Sequence, residues 1–280
     1  VSEVSALPIT VTKQPELELR ESVDAAGKKQ HAYYLRGEDG KQKRIPGVTT
    51  VCGVLDKPAL KPWAAKMAAA YLLGERDPMN PDAWLNPPTW EAGKVYQADE
   101  IAYHCDRARQ WHSDTARKAA DLGTAAHDWM EGYIYGVEQP MPEHEKVKAS
   151  VEKFLNWRAA HQVEWIEAEW SVTDGKVGGK IDVLARVDGV VRVLDLKTGN
   201  GIWPEQVIQV GKYHSMAAAL CPGLDARPII LHASKDNGDF HAYELPVDPG
   251  FCAEFFARLY EDYRALQELN KATKAMVGMS

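Results

Sequence analysis

Residues 178–199, GGKIDVLARVDGVVRVLDLKTG, constrain the fold more than any other stretch of the chain. Two apolar, largely β-branched runs, 181–187 and 190–196, flank the dipeptide Asp188-Gly189. Asp-Gly between alternating hydrophobics predicts a two-residue hairpin, because a type I′ turn needs positive φ at both central positions. That loop also sets the register. If Val187 pairs with Val190, Asp182 falls opposite Asp195 and Lys180 opposite Lys197, while Lys197 shares a face with Asp195. Carboxylates facing each other across a ladder, with Cβ atoms roughly 5 Å apart, repel. Either one is protonated or a cation lies between them. Val183, Leu184, Val193 and Leu194 make these strands read as buried, and buried charges are normally paired or metal-bound. Hard oxygen ligands on a pleated surface suit Mg²⁺ or Mn²⁺. The bland alternative is a solvated edge hairpin whose acids are merely exposed.

The rest of the chain is ordinary in size and unusual in no composition class. Its 280 residues can bury a substantial core as one large domain or two small ones. A net charge of −7 argues against a protein that coats nucleic acid non-specifically. It does not exclude an enzyme with a local basic groove or a metal that screens phosphates. Cys52, Cys105, Cys221 and Cys252 are scattered with no CxxC, and read as reduced thiols. No apolar run is long enough to span a membrane and the opening residues lack a signal-peptide pattern, so a cytoplasmic protein is expected.

Along the chain, residues up to about Arg20 read as a loosely held arm, followed by a small hairpin around Gly37–Gly40. Thr49 or Thr50 is placed to cap a short helix through Leu55. A helix opens at Pro62 and closes at Gly74, and another runs from about Gln97 to Gly136 with a small-residue stripe at Ala116, Ala119, Ala120, Gly123, Ala126 and Met130. His127 lies at the edge of that stripe, one turn after Gly123. Residues 143–160 form an amphipathic helix. Residues 163–172 alternate as a strand, placing Glu167 and Glu169 on one face, and turn at Asp174-Gly175 into the central hairpin. Trp203-Pro204 opens a helix to Leu220 with Glu205, Gln209 and Tyr213 in one row. Two strands, near 228–232 and 239–245, and a final helix over 251–266 complete the pattern. The resulting fold class is mixed α/β: a central mixed β-sheet built on the core hairpin and flanked by helices, with a helical N-terminal region. Residues 1–45 form the arm and small hairpin, and 46–280 the main domain, helical over 46–160 with the sheet core over 161–280. Trp63, Trp84, Trp90 and Trp111 are candidates for stacking on unpaired bases, although core anchoring is the commoner use.

Four pieces in order, Gly123-Thr-Ala-Ala-His127, Gly179-Lys-Ile-Asp182, Asp195-Leu-Lys197-Thr and Gln209-Val-Gly-Lys-Tyr213, resemble the PD-(D/E)XK nuclease superfamily. The likeness is to its RecB-like branch and to phage recombination exonucleases. It covers about a third of the chain. The resemblance implies a restriction-endonuclease-like core, with Asp182 and Asp195 as metal-binding acids and Lys197 as the signature lysine. It implies that His127 and the Leu196 carbonyl complete the metal shell, and that Glu169 is an accessory acid. Gln209 and Tyr213 are implied to orient the lysine, and Lys180, Thr198 and Tyr213 to touch DNA. The implied cofactor is one or two Mg²⁺ or Mn²⁺ ions, and no iron–sulfur cluster is expected from isolated Cys221 and Cys252.

Phosphodiester hydrolysis needs a nucleophilic water, charge compensation on the phosphorane-like transition state and help for the leaving oxygen. A dication held by these groups meets those needs. Beside it, Lys197 has a reason to become less basic and to position or deprotonate water. The expected activity is a metal-dependent exonuclease acting on duplex DNA ends in phage-type recombination or DNA processing. Alternatives are a structure-specific or restriction-type endonuclease and a catalytically silent DNA-binding module. DNA, a single-strand annealing protein and further copies of the chain are the expected partners, with a bacterial host cytoplasm as the setting if the gene belongs to a phage.

Overall fold

The computed structural model describes residues 10–23, 29–55, 57, 60–74, 88–91, 94–234, 239–276 and 278. Trp84, and Ala116, Ala119 and Ala120 of the predicted helical stripe, lie outside the described residues or side chains. The chain builds two sheets. Strands Leu17–Val23 (β1), Lys29–Arg36 (β2) and Gln42–Ile45 (β3) make a small antiparallel sheet in that order. Strands Val163–Thr173 (β4), Gly178–Val187 (β5), Val190–Gly199 (β6), Ile229–Ser234 (β7) and Phe240–Glu244 (β8) make the central five-stranded sheet. Neighbours run antiparallel except β6 and β7, which are parallel. A parallel pair needs a crossover, and helix Pro204–Leu220 (α5) supplies it. The fold is therefore mixed α/β, with the core hairpin at the centre of a mixed sheet.

Helices cover both faces. Ala98–Ile134 (α3) and Glu145–Ala160 (α4) bury Met130, Ile134, Val151 and Phe154 against Val183, Ala185, Leu194 and Leu196. On the other face α5, Pro249–Met276 (α6) and the short Val48–Cys52 (α1) cover Ile181, Leu184, Val191 and Val193. Leu60–Leu72 (α2) packs on the first half of α3 around Tyr71 and Trp111, a smaller apolar cluster of its own. α3 holds one helical path for 37 residues, so its length of about 55 Å carries it from that cluster to the central sheet.

Local chemistry explains most of these elements. Asp188 and Gly189 both adopt positive φ, as a type I′ turn requires. Gly175 does the same between β4 and β5, and Gly74 ends α2. The small hairpin expected before residue 46 is β2 with β3, paired from Tyr33↔Ile45 to Arg36↔Gln42. The described part of the N-terminal region is otherwise strand-rich rather than helical, because β1 pairs with β2 from Leu17↔Leu35 to Val23↔Lys29. Upstream of β1 the chain is tied to the main body by Gln14, whose side-chain amide both donates to the Thr173 carbonyl and accepts from its N–H. Helices begin only at Val48, where Gly47 occupies the cap position and neither Thr49 nor Thr50 caps.

The small sheet is locked onto the central one by steric fit. Tyr33 lies over Gly178, where a Cβ would come within 2.4 Å of the ring. The Gly178 N–H donates to the Pro46 carbonyl. A similar close approach joins α5 to α6. A Cβ on Gly211 would lie 2.2 Å from the Cβ of Cys252. Two backbones must then move apart, and overpacking of this kind costs roughly 1–3 kcal/mol or more. Gly211→Ala is accordingly expected to lower the urea midpoint with an unchanged m-value; an unshifted midpoint would show that the helices slide freely.

Candidate active site

The predicted register holds from Val187↔Val190 to Val183↔Leu194, and the paired ladder ends there. Beyond it, the Leu196 N–H donates to Asp182 Oδ2 at 2.7 Å, so a side-chain carboxylate takes the place of a ladder carbonyl. The splay relieves the opposition of carboxylates that a continued ladder would impose. It also corrects the expected Lys180–Lys197 pairing: Lys180 lies across from Ser171 of β4. Lys197 points at Asp195, Nζ to Oδ2 2.5 Å. An extended residue directs its N–H and C=O to the same side of the strand. The Leu196 carbonyl therefore shares the β5 side with Asp182.

Strands β5 and β4 reverse their faces near this point. Val183 packs under α3 and α4, yet Ile181 joins the cluster beneath α5 and α6. Residues two apart in a regular strand share a face, so the alternation breaks at Asp182. On β4, Ala168 and Trp170 are divided in the same way. Between them Glu169 has φ +50, a left-handed conformation for a residue with a Cβ, which costs about 1–3 kcal/mol. Glu167 and Glu169 consequently part company, contrary to the expectation of one shared face. Glu167 pairs with Lys13 at 2.5 Å, whereas Glu169 lines the cleft and forms a very short ion pair with Lys180.

The cleft has a volume of about 730 Å³ and lies between the small sheet, α3, α5 and the β4–β5 kink. His127, Glu169, Lys180, Asp182, Thr198, Gln209 and Tyr213 all line it. His127 Nε2 is 3.6 Å from Asp182 Oδ2, and its Nδ1 is 3.8 Å from Glu131. Tyr213 is buried under Gly179, where a Cβ would come within 2.6 Å of its ring, and its hydroxyl accepts from Gln209 Nε2 at 3.1 Å. The structure thus gives Tyr213 a wall-building position and presents Gln209 beside it. Among the tryptophans, Trp111 is buried against Tyr71. Trp63 is partly buried on the same cluster. Trp90 is more exposed, with its indole N–H given to the Leu72 carbonyl.

Asp195 sits below the cleft, 1% exposed. Apart from the Lys197 ammonium, neither of its oxygens has a well-directed hydrogen-bond donor. Burial, reinforced by the neighbouring Asp182 charge, outweighs Lys197 and pushes the Asp195 carboxyl up to about 6. Asp182 goes the other way: burial opposes its charge, but His127, Lys197 and the Leu196 N–H hold it below the usual range. Burial likewise opposes the charge on Lys197, and the two aspartates overcome it, keeping that lysine above its ordinary value. Burial disfavours the His127 imidazolium as well, yet Asp182 and, more weakly, Glu131 raise its pKa despite Lys197.

The donor set fits a hard divalent cation. It offers carboxylate oxygens, one imidazole and a backbone carbonyl, and a buried carboxylate short of donors is the kind of group a cation satisfies. Asp182, His127 and the Leu196 carbonyl could hold such an ion, with Glu169 engaged by Lys180 and Asp195 turned to Lys197. Among the described residues, the three ligand groups that converge within 4.8 Å are instead His127, Asp128 and Glu131. Sequence reasoning missed the last two of these. The i, i+4 spacing of His127 and Glu131 on a helix was the available signal.

Fold and cleft together define the class as a mixed α/β protein with a carboxylate-lined cleft at the mouth of a splayed core hairpin. No protein-family model and no curated protein matches the chain. Among solved structures, the crystal structure of SSO0001 is similar over 75% of this chain and 87% of that one. The identity is 15% and the TM-score 0.30, a likeness too weak to carry an argument. No described helix is long and apolar enough to cross a membrane.

Proposed function

We propose that this chain is a metal-dependent DNA exonuclease of the PD-(D/E)XK, RecB-like kind, hydrolysing phosphodiester bonds from duplex ends. The observation that carries the reading is Asp195: a fully buried carboxylate, short of donors, beside a buried lysine and a second carboxylate at a splayed hairpin. A structural hairpin gains nothing from that arrangement, since buried charges without full partners are costly. Asp182, Asp195, His127 and the Leu196 carbonyl are the residues that would hold Mg²⁺ or Mn²⁺. The ion, when bound, supplies charge compensation for the phosphoryl oxygens and a usable water nucleophile at neutral pH.

The chain's own groups divide the remaining work. Lys197, held protonated by the two aspartates, offers its ammonium to a non-bridging oxygen where charge develops, while the attacking water gives up its proton to solvent. Its position is fixed by Asp195, and the strand carrying it is held through the Asp182–Leu196 hydrogen bond. Gln209, braced by Tyr213, sets the cleft wall opposite His127. The αL backbone at Glu169 aims its carboxylate into the same space.

The test uses purified protein with end-labelled linear duplex DNA and, separately, covalently closed circular DNA, each with Mg²⁺, Mn²⁺ or chelator. Metal-dependent release of nucleotides from linear DNA, with circles left intact, is the expected result. Cutting of the circles assigns an endonuclease instead. Digestion of neither, nor of single strands, sinks the hydrolytic reading.

A further inference from the structure

The cleft described above is poorly equipped to attract its own substrate. Glu21, Asp128, Glu131, Glu169 and Asp182 line it, and its cations are committed to carboxylates. Lys180 is engaged by Glu169 and Glu21, and Lys197 by Asp195. A phosphodiester approaching this surface needs a positive charge that is not already neutralised.

One lysine at the margin meets that need. A narrow crevice between α3, α4 and the end of β6 is lined by Gly123, Lys146 and Thr198, and two of these, Gly123 and Thr198, also line the cleft. The crevice and the cleft therefore border the same two residues. Gly123 carries no side chain to divide them. Lys146 comes from the first turn of α4, and among the described residues no carboxylate lies within ion-pairing distance of it. The crevice holds only about 10 Å³, no more than one water. A base or sugar cannot enter it, but an anionic oxygen can rest against its mouth. Thr198 directly follows Lys197 along β6 and leaves the strand on its other face, so a group seated between Thr198 and Lys146 lies across the strand from the catalytic lysine, in the part of the cleft that Thr198 also lines.

The geometry points to Lys146, with the Thr198 hydroxyl, as the seat for a DNA backbone phosphate next to the one that is cleaved. This rests on the nuclease reading and adds the residue that holds the substrate in register. Lys146 is a positioning residue: it touches a phosphate that does not react. Its ammonium suits the task as a compact point charge on a flexible stem.

The test compares wild type with Lys146→Gln, Lys146→Arg and, as a charge-matched control at a distant surface, Lys274→Gln. Duplex binding is followed by fluorescence anisotropy with Ca²⁺ from about 50 to about 200 mM salt, and cleavage with Mg²⁺. One phosphate contact contributes about 0.9 to the slope of log affinity against log salt for duplex DNA. Lys146→Gln is expected to lose that much slope and to raise KM several-fold, with Lys146→Arg largely restoring both and Lys274→Gln behaving as wild type. Cleavage by wild type with an unchanged KM and slope in Lys146→Gln overturns the seat and leaves the nuclease. Binding without cleavage, with the slope reduced only in Lys146→Gln, keeps the seat and removes the hydrolytic reading. Absence of any duplex binding by wild type overturns both.

Discussion

Lys197→Ala is expected to lower metal-dependent nucleotide release from linear duplex ends by about a thousandfold or more, with KM little changed. The magnitude follows from two roles lost together. A preorganised charge at a developing oxyanion contributes about 10²–10³ in rate, and losing the group that orients Asp195, a metal-binding acid, adds to that. KM holds because the contact with the non-bridging oxygen strengthens mainly as charge develops there, and an interaction made in the transition state lowers kcat without raising KM. Lys197→Arg is expected not to restore the rate, since the planar guanidinium fork does not fit a buried seat shaped for an ammonium. Removing the ammonium also leaves Asp195 buried without its ion-pair partner, so a melting curve must accompany the kinetics. Asp195 already has its pKa pushed to about 6, so it can take up a proton and let the variant stay folded. A folded Lys197→Ala protein that retains activity within tenfold of wild type would remove Lys197 from the chemistry.

What sequence revealed and what it hid divide along a physical line. The Asp188-Gly189 turn, the register down to Val183 and Leu194, and the helix stop at Gly74 are local decisions made by a few adjacent residues, and turn chemistry announces them. The splay beyond Val183 is not local. It depends on Asp182 reaching the Leu196 N–H, a choice that a two-strand register argument cannot anticipate. The left-handed Glu169 had no cue at all, because nothing in AEW favours positive φ. β1 was overlooked because LELRES alternates on a short, half-exposed edge, where pattern and propensity are weakest. Gly123 and His127 were legible through helical spacing, as Glu131 could have been. Lys146 was not, since only the packing of α4 beside α3 brings it to Thr198. The second half of α6, with Leu266 and Leu269 exposed, runs on past the predicted end because helical propensity continues after the core contacts stop.

Asp195→Asn separates the two things this carboxylate does. In the folded chain its pKa is raised to about 6, against about 3.9 for an unperturbed aspartate. A raised carboxyl means that the folded state binds the proton more tightly than the unfolded state. Ionisation therefore works against folding: stability is lost as pH rises from about 4 to about 6, and the loss is complete above that. A shift of this size corresponds to roughly 3 kcal/mol on the linkage relation. Asparagine is neutral at every pH and nearly the same shape, so it escapes the penalty. In chelator at pH 8 the variant is expected to melt above wild type, and the gap should shrink as pH is lowered toward 4, where wild-type Asp195 is itself protonated. With Mg²⁺ or Mn²⁺ the order reverses in effect. Wild type gains stability with metal concentration, as any ligand that prefers the folded state demands, while the variant, lacking a charged ligand, gains little and loses nucleotide release by about the same thousandfold as Lys197→Ala. Differential scanning fluorimetry across pH and metal concentration reads both halves. Two results would count against the assignment in different ways. A variant that melts below wild type in chelator at pH 8 would show that Asp195 serves the fold, and a variant that keeps the full metal-induced rise would show that the ion binds elsewhere, at the His127, Asp128 and Glu131 cluster on α3.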